Sequence, residues 1–170
     1  MAKRFEDSML AVIGGGRGWG AKIVQAGKQA AAEVGVVEQD TDNQTRDDLL
    51  RHADSVFFAA PDTEIPTILR ETRGLLGGKR VLDCASNKGP FEDMLVAIAR
   101  EASVCSTHPL VRSETPTRGQ NVLLMPIGER AEPATTDAET LYRILGMRLR
   151  SFDFRHHGDF MAIVQFLPHL

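Results

Sequence analysis

A glycine loop and an acid near the N-terminus have the types and spacing that bind a diphosphate and a ribose. Gly16-Arg17-Gly18-Trp19-Gly20-Ala21 reads G-x-G-x-x-A directly after an apolar run, and Glu38 lies 20 residues beyond Gly18. In such a loop, Gly16 permits the tight turn, Gly18 lets the backbone approach a pyrophosphate, and small Ala21 lets helix and strand pack closely. An acid at that distance accepts hydrogen bonds from ribose hydroxyls and repels a 2′-phosphate. The segment therefore predicts dinucleotide binding, with NAD favoured over NADP.

Neighbours of this loop are further candidates for the same ligand. Gly14 belongs to the glycine cluster and is an expected cofactor contact. Arg17 either contacts a phosphate or covers the loop. Trp19 either shields the pyrophosphate or fills the space between loop and sheet. Asp40 is the alternative to Glu38 as the ribose ligand.

Polar residues follow three later apolar runs, where predicted strands end. Pro61 follows the third run, Ser86 and Lys88 follow the fourth, and His108 follows the fifth. Ligands of open α/β sheets bind beyond the carboxyl ends of the strands. Histidine can accept a proton near neutrality, and lysine supplies a fixed positive charge for a carboxylate or a developing oxyanion. We expect Pro61 to contact the cofactor and the other three to converge catalytically on its nicotinamide end. The structural alternatives are a turn cap for Ser86, a solvated Lys88, and a His108 that braces Pro109.

Apolar runs alternate with helical patterns, and this order positions the candidate residues. The predicted strands are Leu10–Ile13, Val34–Glu38, Ser55–Ala59, Arg80–Cys84, Val104–Ser106, Asn121–Met125 and Arg148–Phe154. The predicted helices are Ala21–Ala32, Asp47–His52, Glu64–Thr72, Phe91–Ala102 and Thr136–Leu145, followed by an apolar helical segment from Phe160 to the end. Alternating units of this kind predict an α/β fold with a doubly wound, mostly parallel Rossmann sheet.

Composition excludes several classes of function. The chain has 170 residues, 42% hydrophobic and 25% charged, as in a single globular domain. The net charge of −3 without a basic stripe argues against nucleic acid, and no apolar run approaches the roughly 18 residues that cross a bilayer. The N-terminus has no apolar core of a secretion signal, so we expect a cytoplasmic protein. Cys84 and Cys105 are interpreted as reduced, buried side chains without a metal or disulfide role.

Five segments in order resemble the prephenate and arogenate dehydrogenase family of tyrosine biosynthesis. They are Ile13-Gly14-Gly15-Gly16-Arg17-Gly18, Val37-Glu38-Gln39, Leu82 to Pro90, Thr107-His108-Pro109-Leu110 and His157 to His169. The resemblance implies NAD-dependent oxidative decarboxylation of prephenate, arogenate or 4-amino-4-deoxyprephenate. A hydride leaves ring C4 for NAD+, the C4 substituent loses a proton, and the ring carboxylate leaves as CO2, without a metal.

The resemblance also implies roles for individual residues. His108 would hydrogen-bond the C4 substituent, Ser86 would position His108 or that substituent, and Lys88 would supply positive charge. His169 would face the substrate carboxylates. His157 is at the start of the same helix. Its role there is either to cap the helix or act as a hinge, or to take part in the chemistry.

The family has a second, helical domain that forms a dimer, completes the active site and carries a carboxylate-binding arginine. We expect residues 1–155 to be the NAD-binding domain and residues 156–170 to begin this helical domain, truncated here, in a protein that is a homodimer at full length. Many members carry an aromatic-Gly-Pro loop where this chain has Val111-Arg112-Ser113-Glu114. Arg112 is a candidate substrate contact or an exposed loop residue. Two alternatives remain: a catalytically idle NAD-binding or regulatory module that pairs through its apolar C-terminal helix, and an unrelated NAD(P) oxidoreductase.

Overall fold

The computed structural model describes residues 3–166, which form one seven-stranded sheet with helices on both faces. The strands are β1 Met9–Ile13, β2 Glu33–Val37, β3 Ser55–Phe58, β4 Arg80–Asp83, β5 Ser103–Pro109, β6 Asn121–Ile127 and β7 Arg148–Ser151. The α-helices are α1 Gly18–Ala30, α2 Asn43–His52, α3 Ile65–Thr72, α4 Glu92–Ile98, α5 Glu132–Ile144 and α6 His157–Phe166. Each of the seven predicted strands corresponds to an observed one.

The strand order is β2-β1-β3-β4-β5-β6-β7, and only the β5–β6 pair is antiparallel among the pairs of this sheet. The prediction of a doubly wound, mostly parallel sheet is therefore confirmed. The carboxyl ends of β1 to β5 meet at one edge, because these five strands run in the same direction. That edge is where the ligand of an open α/β sheet binds.

Alternate side chains of each central strand pack into two apolar layers. In β1, Leu10 and Val12 pack with α1 and α5, whereas Ala11 and Ile13 pack with α2, α3 and α4. These four side chains are 0–3% exposed, so both faces of the strand are covered. The continuous apolar runs in the sequence reflect this two-sided burial.

Three predicted boundaries were wrong in ways that affect the site. Helix α1 begins at Gly18, inside the glycine loop, three residues before the predicted start. Helix α2 begins at Asn43 because the Asp42 side chain accepts a hydrogen bond from the Thr45 amide at 2.9 Å and caps it. Strand β5 continues to Pro109, so His108 lies inside a strand, opposite Leu123 of β6. The antiparallel partner extends the strand beyond its short apolar run.

Cys84, just after β4, and Cys105 in β5 are buried and unpaired thiols. Burial raises the pKa of both to about 12, which keeps them protonated and unreactive. Among the described residues, no helix has both the length and the apolar character needed to cross a bilayer.

Candidate functional site

A cavity of about 430 Å³ opens where the carboxyl ends of β1 to β4 meet. Its walls include most of the predicted cofactor contacts, which are Gly14, Arg17, Gly18, Trp19, Glu38 and Pro61. Ser86 lines the same cavity at the β4 end. Gly16 and Asp40 line a shallower depression beside it, together with Arg17 and Glu38. The structure therefore brings the glycine loop, the acid and Ser86 together around one space.

The glycine loop is built around Gly14, Gly18 and Gly20. Gly14 and Gly18 have φ values of +81° and +55°, which a residue with a side chain rarely adopts. A Cβ on Gly20 would lie 1.9 Å from the carbonyl oxygen of Gly14, so only glycine lets α1 pack this closely against the end of β1. Gly16 lies in the turn between β1 and α1, and the positive φ values fall on its neighbours Gly14 and Gly18. The expectation that Ala21 makes the close contact was wrong, because Gly20 makes it.

The N-terminus of α1 belongs to this loop. Its N-cap residue, Arg17, is extended, with φ −152° and ψ 172°, and offers no side-chain cap. The first amides of a helix have no acceptor inside the helix, and the helix dipole adds partial positive charge there. The loop and helix start therefore form a site that can hold a diphosphate.

Glu38 carries an unsatisfied acceptor beside the loop. Its Oε1 atom is buried and has no hydrogen-bond partner among the described residues. A Cβ on Gly16 would lie 2.9 Å from this oxygen, so Gly16 makes room for the carboxylate. Buried acceptors are almost always satisfied in folded proteins, so this oxygen indicates a missing donor such as a hydroxyl group of a ligand. Asp40 is exposed and lacks this burial.

Trp19 and Arg17 take different positions around the cavity. The Trp19 ring packs against the buried ring of Tyr142, with centroids 6.4 Å apart and an angle of 66° between the planes. It therefore packs between α1 and α5 and also borders the cavity. Arg17 is exposed at the cavity mouth, where its guanidinium can reach a phosphate.

His108 and His157 form a buried pair away from the lining of the main cavity. His108 Nδ1 lies 2.9 Å from His157 Nε2, and the side chains are 5% and 2% exposed. Burial, with the nearby Lys88 ammonium, lowers the pKa of His108 to about 3 and that of His157 to about 4. Both rings are therefore neutral at pH 7, and His108 can accept a hydrogen bond.

Lys88 is not a solvated or unpaired charge. Its ammonium donates hydrogen bonds to Asp83 Oδ1 and, at 2.8 Å, to the carbonyl oxygen of Thr107, and the side chain is 2% exposed. The expectation that Lys88 presents free positive charge to a substrate was wrong, because Asp83 neutralises it. Its contacts fasten the segment after β4 to β5, next to His108.

The remaining predicted residues are spread around the site. Ser86 is exposed on the cavity wall and makes no hydrogen bond to His108 in the described part of the chain. Arg112 is exposed in the loop after β5 and does not line the cavity, although its neighbour Ser113 faces Gly18. His169 lies outside the described residues.

Several polar residues of the cavity wall were not predicted as site residues, and Asp62 and Arg46 are two of them. The Asp62 carboxylate accepts a hydrogen bond from the main-chain N–H of Asn87 at 2.8 Å and so fixes the loop that carries Ser86. Its position directly after Pro61 could have indicated this role. Arg46 of α2 also lines the cavity, and no signal in the sequence marks it, because its place depends on how α2 packs.

The sheet order, the glycine loop at the start of α1 and the cavity at the strand ends define a Rossmann-like α/β fold. No protein-family model and no curated protein matches the chain. Solved structures do match. The prephenate dehydrogenase of Aquifex aeolicus has a TM-score of 0.76 at 15% identity over 94% of this chain and 66% of its own.

Two further matches extend the comparison. The arogenate dehydrogenase of Synechocystis has a TM-score of 0.65 at 17% identity over 94% of this chain and 65% of its own. The NADH-preferring ketol-acid reductoisomerase of an uncultured archean has a TM-score of 0.72 at 14% identity over 96% of this chain and 57% of its own. The chain thus spans less than two thirds of the length of these three proteins. At these identities the likeness establishes the fold.

Proposed function

We propose that this chain binds NAD in the cavity at the strand ends and acts as the nucleotide-binding part of a dehydrogenase. The observation that carries the proposal is the buried Glu38 Oε1, which has no hydrogen-bond donor within residues 3–166 and lies beside a glycine loop at a helix start. Main-chain amides from Gly14 to Gly18 would hold the diphosphate, and the Glu38 carboxylate would accept the hydroxyls of the adenosine ribose. Such a cofactor, when bound, supplies a nicotinamide ring that accepts a hydride.

The substrate that we propose is prephenate or a close analogue, arogenate or 4-amino-4-deoxyprephenate. Three supports agree: the motifs shared with that family, the likeness in fold to a prephenate and an arogenate dehydrogenase, and a neutral His108 near the carboxyl end of β5. His108 would accept a hydrogen bond from the C4 substituent while hydride leaves C4 and the ring carboxylate leaves as CO2. His157 would hold the His108 ring in place through the contact at Nδ1.

An assay that follows NADH formation with prephenate and with arogenate tests this proposal, with NAD affinity measured by calorimetry in parallel. We expect NADH formation with at least one substrate. We also expect His108→Asn to lower turnover about 100-fold or more while NAD affinity stays within twofold, as for removal of a group that acts on the reacting atoms.

Two results would contradict parts of the proposal. An unchanged rate in His108→Asn would remove His108 from the mechanism. NAD binding without turnover of either substrate would favour either an NAD-binding module without dehydrogenase activity of its own or a dehydrogenase that needs its helical domain for turnover.

A further inference from the structure

Arg46 occupies an unusual position in the cavity wall. Its side chain is only 12% exposed, and its guanidinium Nε lies 2.9 Å from Asp47 Oδ1. One terminal nitrogen lies 2.7 Å from Glu71 Oε2 of α3. The two carboxylates neutralise the guanidinium and fix its plane while it lines the cavity that also contains Glu38.

The chemical structure of NAD indicates which part of the cofactor Arg46 contacts. The inference rests on the proposed function, in which Glu38 binds the adenosine ribose and the glycine loop binds the diphosphate. The adenine then leaves the ribose on the side away from the diphosphate, toward α2 and α3. That part of the cavity wall contains Arg46 and the partly buried Ile68. A flat guanidinium and an aliphatic side chain are surfaces on which an aromatic base packs well.

We propose that Arg46 is a platform for the adenine ring and not a ligand for a 2′-phosphate. Asp47 and Glu71 pair with the Arg46 guanidinium, and the Glu38 carboxylate, whose Oε1 has no partner among the described residues, lies in the same cavity. These three carboxylates outnumber the guanidinium groups of Arg46 and Arg17, so a phosphate added to the ribose would meet net negative charge. Arg46 and Glu38 together therefore determine specificity: the first holds the base and the second rejects NADP.

Calorimetric titrations of NAD, ADP-ribose and nicotinamide mononucleotide into Arg46→Ala and Arg46→Lys test the proposal. Lysine keeps the charge and loses the flat surface, so we expect both variants to bind NAD and ADP-ribose about five- to twentyfold more weakly, as for loss of one planar stacking contact with a base. Affinity for nicotinamide mononucleotide should not change. Arg51→Ala is the matched control, since Arg51 lies on the same helix, is 52% exposed and pairs with Asp48 outside the cavity.

Wild-type NAD affinity in Arg46→Lys would contradict the proposal that Arg46 is a platform for adenine, and would leave the proposed function intact. Equal losses for all three ligands would show a change in the fold, and would also overturn it. Wild-type protein that binds none of them would overturn both proposals.

The half-exposed Glu71 offers a second variant that keeps the guanidinium in place. Glu71→Gln should raise the affinity for NADP relative to NAD about threefold or more, because one of the two carboxylates that engage Arg46 is removed. A wild-type preference for NADP would contradict the inference, since Arg46 would then bind the 2′-phosphate.

Discussion

The imidazole rings of His108 and His157 share a hydrogen bond of 2.9 Å that joins strand β5 to the first residue of helix α6. Their centroids are 5.1 Å apart and the rings are tilted by 59°. One hydrogen occupies the bond between the two nitrogens, so any further proton would place a cation in this buried site. The pair is therefore a neutral unit that couples the orientation of His108 to the position of α6.

This pair predicts a loss of stability in mild acid. The ordinary histidine pKa of 6.5 applies to the unfolded chain, whereas burial lowers the folded values to about 3 and about 4. The unfolded chain thus binds more protons below pH 6.5, and the free energy of unfolding should fall as the pH drops from there toward 4. The expected slope is about 1 kcal/mol per pH unit for each histidine.

Urea denaturation of the wild type and of His157→Asn between pH 7.5 and 4.5 measures this effect. Asparagine keeps a hydrogen-bonding side chain and removes the titration, so the difference between the two proteins should shrink or reverse with falling pH. Parallel stability curves would contradict the account of the pair.

The Lys88–Asp83 contact predicts a structural effect of removing Lys88. Lys88→Met leaves the Asp83 carboxylate buried without its cation, which should lower the free energy of unfolding by about 3–5 kcal/mol. The double variant with Asp83→Asn removes both charges and should recover much of that loss. The urea midpoints of the wild type, Lys88→Met and the double variant measure these changes in stability. A Lys88→Met protein that keeps its stability but loses turnover would show that Lys88 takes part in the reaction.

The sequence was sufficient to predict the βαβ unit, the positions of the seven strands along the chain and the edge of the sheet that bears the cavity. Local periodicity and the glycine–acid spacing encode these features. It could not predict that Lys88 pairs with Asp83, that His108 meets His157, or that Arg46 lines the cavity. Each of these contacts depends on how distant elements pack, and residue types alone do not reveal whether a charge is already neutralised.

The close approach of α1 to β1 predicts that Gly20 tolerates no side chain. Gly20→Ala places a Cβ 1.9 Å from the Gly14 carbonyl oxygen, so the loop must shift. We expect a loss of at least about 2 kcal/mol in stability and of tenfold or more in NAD affinity. Gly77→Ala is the control, because a Cβ there meets nothing within 4 Å. Equal behaviour of the two variants in thermal melts and NAD titrations would contradict this account of the loop.

The unsatisfied carboxylate predicts the choice of cofactor. Glu38→Gln removes the negative charge beside the ribose site and should raise NADP affinity relative to NAD by about tenfold or more, the effect of one lost charge repulsion in a partly buried site. Asp40→Asn, at an exposed position, should leave the ratio unchanged. Titration of NAD and NADP into both variants measures the ratio of the two affinities. A change in Asp40→Asn alone would transfer the ribose role to Asp40.

A crystal structure of the protein with saturating NAD shows where the dinucleotide binds. We predict that the diphosphate lies against the main chain of Gly14 to Gly18 and that a ribose hydroxyl lies within hydrogen-bond distance of Glu38 Oε1. An unoccupied cavity, or a dinucleotide bound elsewhere on the protein, would contradict it.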